Sequence, residues 1–316
     1  MKLKRMQTAR VASNRTHRPD AFTLIELVVV LLLVTLLGLT LVPGAAKIRP
    51  NTKAIQCQNN LRQFTAAWTM YSADYNDRVA NNFGVDQTLS TIQAGRLENW
   101  ANNVMTWGAS SETTDVSNTN GAWVTAGVLG KYLGNVISVY RCPSDTYLSP
   151  IQAAAGWPVR VRSISMNSVF GRFSTGNDST ATGLNWAFPQ YVQYLKQARV
   201  PKPADTWLVI EEHPDSINDG YFINNPSASN WQDIPSAFHN GGCSLSFADG
   251  HTQLKRWQSP ASWYRVQFSY PSTKVFDSLG RADYAWYLSR TGWVSARCAS
   301  AIFQSSLVPL NRRRST

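Results

Sequence analysis

An apolar run from Phe22 to Val42 constrains this chain more than any other part of its 316 residues. Leu, Val and Ile fill it, broken only by threonines and Gly38, and Glu26 is its one ionisable side chain. About 20 such residues, rising about 1.5 Å each, reach across the hydrocarbon of a bilayer, so the run predicts a transmembrane helix over 22–42. The apolar core of a conventional signal peptide is shorter, about 7–15 residues. A carboxylate at mid-helix costs roughly 2.5–3.5 kcal/mol, and less near an end, so Glu26 calls for a partner. The preceding segment sets Lys2, Lys4, Arg5, Arg10, Arg15 and Arg18 against Asp20 alone. That asymmetry predicts a cytoplasmic N-terminus and a single pass.

Composition bounds the remainder. Hydrophobic residues make up 43% and charged residues 16%, which predicts a folded body after the anchor. The formal charge of +11 falls to about +6 without the basic segment, and no basic helix or zinc-knuckle pattern accompanies it. A nucleic-acid partner is therefore not expected. Cys57, Cys142, Cys243 and Cys298 form no Cys-x-x-Cys pair, so local spacing supports neither a zinc nor a thioredoxin-type site. Beyond an inner membrane disulfides are permitted, and four cysteines allow three connectivities.

Pro43-Gly44 and Pro50 predict bends in the helix without ending it. Beyond them Ala54, Cys57, Leu61, Phe64, Trp68, Tyr71 and Tyr75 recur at alternating spacings of three and four. They share one helical face, with Gln56, Asn59, Arg62, Gln63 and Asp74 opposite, so a packed amphipathic helix is predicted to about residue 76. Asn76-Asp77 mark its end. Residues 83–135 turn rich in Asn, Ser, Thr and Gly and predict short strands with long loops. Val136–Tyr140 predicts a strand stopped by the turn Cys142-Pro143-Ser144-Asp145, residues 191–198 a short helix, and Thr206–Ile210 a buried strand. In Cys243–Ala248, Leu245 and Phe247 alternate with Ser244 and Ser246, predicting a half-buried strand that turns at Asp249-Gly250 and returns through Gln253–Lys255.

At Ala21-Phe22-Thr23-Leu24-Ile25-Glu26 the chain resembles type IV pilins and type II secretion pseudopilins, whose basic leader is cut immediately before such a Phe. Ala21 stands where that family usually has Gly. Further matches follow at Cys57–Gln63, Tyr71–Asp74, Arg141–Asp145 and Arg162–Asn167, and at His239 followed after nine residues by Asp249-Gly250. These resemble the pilin-like proteins with an H-X9-DG tail. The resemblance implies a cleaved leader over 1–21, a methylated Phe22 amine, and a Glu26 that pairs with the amine of a neighbouring subunit. It implies an α+β fold in which a long N-terminal helix packs on an antiparallel sheet. The segments would be a transmembrane helix over 22–42, an amphipathic helix over 43–76 and a periplasmic pilin-like domain over 77–257, with 258–316 unassigned. Prepilin peptidase, other pilin or pseudopilin subunits and the inner membrane are the implied partners. A Cys57–Cys142 disulfide is preferred because both residues lie in family motifs.

Candidate chemistry is sparse. His239 and Asp249 read as fasteners of a hairpin through backbone or mutual hydrogen bonds, and a second reading makes His239, Asp249 and His251 metal ligands. Asp215, Ile217, Asp219 and Gly220 imitate the start of an EF-hand, but Ile217 at the third position and Pro226 at the twelfth contradict it. A calcium site of another type could use Glu211, Glu212, Asp215 and Asp219; the competing reading is a solvated turn capped by its own side chains. No Gly-x-Ser-x-Gly elbow or phosphate loop occurs, and no enzymatic activity is expected. The expected function is a structural subunit of a pseudopilus or pilus-like filament. Its rival is a surface carbohydrate-binding protein on a pilin-type anchor, since some of the twelve Trp could stack on sugar rings.

Overall fold

The computed structural model describes residues 23–174 and 183–292, with the side chains of 38–51 outside the described set. Two compact units divide the chain, Met1–Arg49 and Pro50–Thr316. Helix α1, Leu24–Asp74, continues through Pro43 and Pro50.

In the first unit the large apolar side chains from Leu24 to Leu37 are 49–82% exposed. Thr23 and Glu26 close a capping box: Glu26 Oε2 accepts from the Thr23 amide at 2.9 Å, and Thr23 Oγ1 accepts from the Glu26 amide at 3.4 Å. Thr35 Oγ1 donates to the Leu31 carbonyl at 2.9 Å, so its hydroxyl is satisfied inside the helix. Among the described residues no helix is long and apolar enough to cross a membrane. The predicted span 22–42 runs past Leu37 into side chains outside the described set, as do Ala21 and Phe22 at the predicted cleavage point.

In the second unit the predicted face of α1 is the buried one: Ala54, Cys57, Leu61, Phe64, Trp68 and Tyr71 are all at most 9% exposed. Tyr75 is exposed and stacks on Tyr71, its centroid 4.4 Å away. Asn76 and Asp77 take positive φ, 55° and 67°, which stops the helix where the sequence marks its end. Short helices α2 (Val85–Gln93), α3 (Thr113–Val116), α4 (Ala122–Thr125) and α5 (Pro150–Ala154) follow. The Asn-rich stretch around them is buried, because amide side chains replace a strand ladder. Asn82 donates to the Met166 and Asn167 carbonyls, and Asn99 Oδ1 accepts from the Phe83 and Trp100 amides. Val136–Tyr140 is no strand; Ile137–Tyr140 forms a 3-10 turn after Gly134 and Asn135 take left-handed φ. Nor is 191–198 a helix. Tyr194 and Val192 make isolated bridges instead, and only Gln197–Arg199 winds into a 3-10 turn.

The strands are β1 (Ile164–Asn167), β2 (Trp207–Glu211), β3 (Tyr221–Phe222), β4 (Gly242–Phe247) and β5 (Thr252–Arg256), in the order β3-β1-β2-β4-β5. The sheet is mixed, not wholly antiparallel as expected, since β1 and β3 run parallel. A bulge between Trp207 and Val209 breaks the alternation of β2. Trp207 and Ile210 thereby join one face, and Leu208 and Val209 join the core that contains Phe64 and Trp68 of α1.

The opposite face is covered by α6, Ser278–Thr291, capped by Asp277 accepting from the Gly280 amide. Tyr284 and Tyr287 of α6 meet Trp207, Phe222 and Trp231 there. β4 is therefore buried on both faces, where the sequence predicted one.

Candidate functional site

Between α1 and the sheet four side chains converge that no local motif connects. Cys57 lies on the buried face of α1, one turn before Leu61. Asn60, three residues on, donates through Nδ2 to the carbonyls of Ser138 and Arg141, at 3.0 and 3.2 Å. That fastens the turn carrying Cys142 beside Cys57. The Asp145 amide closes this turn on the Cys142 carbonyl at 3.0 Å, and the Ser144 amide donates to Cys142 Sγ at 3.4 Å. Glu211 ends β2 on the face that Val209 shares, and Glu211 Oε2 accepts from the Ser244 amide at 2.6 Å. His239 sits in the turn before β4, its amide donating to the Gly242 carbonyl at 3.0 Å. Asn240 and Gly241, both at positive φ, reverse the chain behind it.

One ligand atom from each of Cys57, Cys142, Glu211 and His239 lies within 4.8 Å of every other. His239 Nε2 is 3.1 Å from Glu211 Oε1 and 3.6 Å from Cys142 Sγ. The four residues are 2%, 1%, 0% and 8% exposed in that order. Burial disfavours a charged His239, but Cys142 and Glu211 outweigh it and push its pKa to about 10. Burial likewise disfavours ionised Glu211, and the hydrogen bond to His239 with its charge holds the carboxyl below its usual range. Hydrogen bonding to Cys142 and then burial push the Cys57 thiol up strongly. Two sulfurs, one imidazole and one carboxylate can do one of two things: coordinate a cation, or, through the sulfurs alone, form a disulfide.

The predicted site residues distribute unevenly over this geometry. Cys57 and Cys142 are brought together, but as free thiols and not as the expected disulfide. His239 joins them, whereas Asp249 and His251 do not. Asp249 is exposed and caps its own turn, Oδ1 accepting from the His251 amide at 3.2 Å and lying 2.7 Å from His251 Nδ1. His239 and Asp249 thus hold the two ends of the hairpin through backbone hydrogen bonds and not through each other. Gly250 supplies the turn with φ of 99°.

The four carboxylates considered for calcium do not converge among the described residues. Glu211 is taken by the cluster, and Glu212 accepts from Ser216 Oγ at 2.8 Å. Asp215 accepts from the amides of Gln267 and Phe268, and Asp219 from the Tyr221 amide at 2.8 Å. All are buried, not a solvated turn, and each has its own hydrogen-bond donors: backbone amides for Glu211, Asp215 and Asp219, and the Ser216 hydroxyl for Glu212. Glu26 is the N-terminal cap already described. Trp186 and Trp263 are the large indoles left about half exposed among the described residues, at 46% and 45%.

No local spacing announces the cluster, since Cys57, Cys142, Glu211 and His239 stand far apart. The available signal was that each opens or closes a segment with a recognisable motif. The profile of the family described as "protein of unknown function (DUF1559)" matches residues 46–225, more than half of the chain, and the chain belongs to that family. Cys57, Cys142 and Glu211 fall inside the match and His239 beyond it. No curated protein matches the chain, and no solved structure does.

Proposed function

We propose that this chain is a pilin-like, membrane-anchored structural subunit of a type II secretion pseudopilus or type IV pilus-like filament. Prepilin peptidase would process it, and it would have no catalytic role. The carrying observation is the Phe22–Val42 run with its single carboxylate Glu26, preceded by a basic leader. Helix α1 supports the reading. Glu26 and Thr35 aside, it is apolar on all sides from Leu24 to Leu37 and amphipathic beyond Thr52, which suits lipid and then a protein core. Membership of the DUF1559 family, typical of proteins with a prepilin signal, is compatible with it.

Glu26 has two uses in this reading. Its Oε2 caps the first turn through Thr23, and a carboxylate has lone pairs left for the methylated amine of a neighbouring chain. The body would lie in the periplasm and the N-terminus in the cytoplasm before cleavage. Mass spectrometry of the N-terminal peptide from membrane-extracted protein tests the proposal. A monomethylated Phe22 is the expected terminus; an intact leader, or a terminus after Ala46, would overturn it.

A further inference from the structure

We infer that Cys57, Cys142, Glu211 and His239 form a closed, four-coordinate structural zinc site that pins α1 to the sheet. The donor set selects the metal class. Two thiolates and an imidazole suit zinc and other borderline or soft ions, and disfavour calcium and magnesium.

Distances carry the inference further. Tetrahedral zinc, with bonds of about 2.0–2.3 Å, sets its ligand atoms about 3.3–3.8 Å apart. The His239–Cys142 separation of 3.6 Å falls in that range, and the His239–Glu211 separation of 3.1 Å lies just below it. All six mutual separations fit inside 4.8 Å, so side-chain adjustment alone would complete the shell.

The surroundings hold donor atoms in place. The Ser244 amide occupies Glu211 Oε2 and leaves Oε1 turned to the cluster. The Ser144 amide donates to Cys142 Sγ, as backbone N–H groups do towards metal-bound thiolates. Burial of every ligand leaves no open position for a substrate, so the site is structural and not catalytic.

The test uses the full chain, extracted in detergent under reducing conditions and treated with one equivalent of zinc. Elemental analysis should find one zinc per chain, and a chelator should lower the melting temperature until zinc is restored. Replacing zinc by cobalt should give the intense visible bands of tetrahedral coordination with a sulfur-to-metal charge-transfer band. His239→Cys keeps a ligand and should retain one cobalt with a stronger charge-transfer band, while Cys142→Ser should lose the metal. Folded, reduced wild-type chain without stoichiometric metal would overturn the inference. Recovery of a Cys57–Cys142 disulfide from metal-free chain isolated from cells would make the site a redox cross-link instead. None of these outcomes depends on how the N-terminus is processed.

Discussion

Gly250 occupies open space, with no atom within 4 Å of where a Cβ would stand, so its role is conformational and not steric. At φ of 99° it lies beyond the left-handed helical region, where an L side chain is strained. Gly250→Ala should destabilise the body by about 1–2 kcal/mol, and Gly250→Asn by less, as read from thermal or denaturant unfolding. Asp219 carries a different strain. Burial raises its pKa from 3.8 to about 6, although the Tyr221 amide and the nearby Arg162 charge favour ionisation. A carboxyl whose folded pKa is raised stabilises while protonated. That contribution is complete below about pH 4 and is lost as pH rises through about 6. The loss is on the order of 2–3 kcal/mol at about 1.4 kcal/mol per unit. Asp219→Asn should remove this decline, so wild-type stability should fall relative to the variant between those two pH values. Parallel unfolding curves for the two across that window would contradict the assignment.

Elements were legible where their pattern was repetitive. The buried face of α1 could be read because Ala54, Cys57, Leu61, Phe64, Trp68 and Tyr71 keep a spacing of three and four for five turns. β2 could be read because Trp207–Ile210 is continuously apolar and β-branched or aromatic in part. Val136–Tyr140 has the same composition yet winds into a 3-10 turn, since a short apolar run carries no period. Helix α6 escaped because its buried face is Gly280, Asp283, Tyr284, Tyr287 and Thr291, too polar to register as a stripe. Its Asp283 is satisfied by Lys255 at 3.0 Å and by the amides of Gln258 and Ser259, partners that no local reading supplies. The cluster at Cys57 escaped for the same reason, because only long-range packing assembles it. The last sixty residues, featureless as sequence, hence include one wall of the second core. Truncation after Trp257 should uncover Trp207, Phe222 and Trp231 and give protein that aggregates on size-exclusion chromatography. A monodisperse, thermally stable truncated body would show that α6 is dispensable.

For the molecule as a whole, the sheet is closed on both faces, by α1 on one side and α6 on the other, and its two margins differ in kind. β3 is only two residues long. β5 carries Lys255 and Arg256, and its side chains are partly exposed. A margin this short, or one this charged, is a poor template for the main chain of another molecule. Copies of the chain would therefore not grow together by adding strand to strand. In the filament proposed above, the exposed apolar residues Leu24–Leu37 would supply the contact between copies instead.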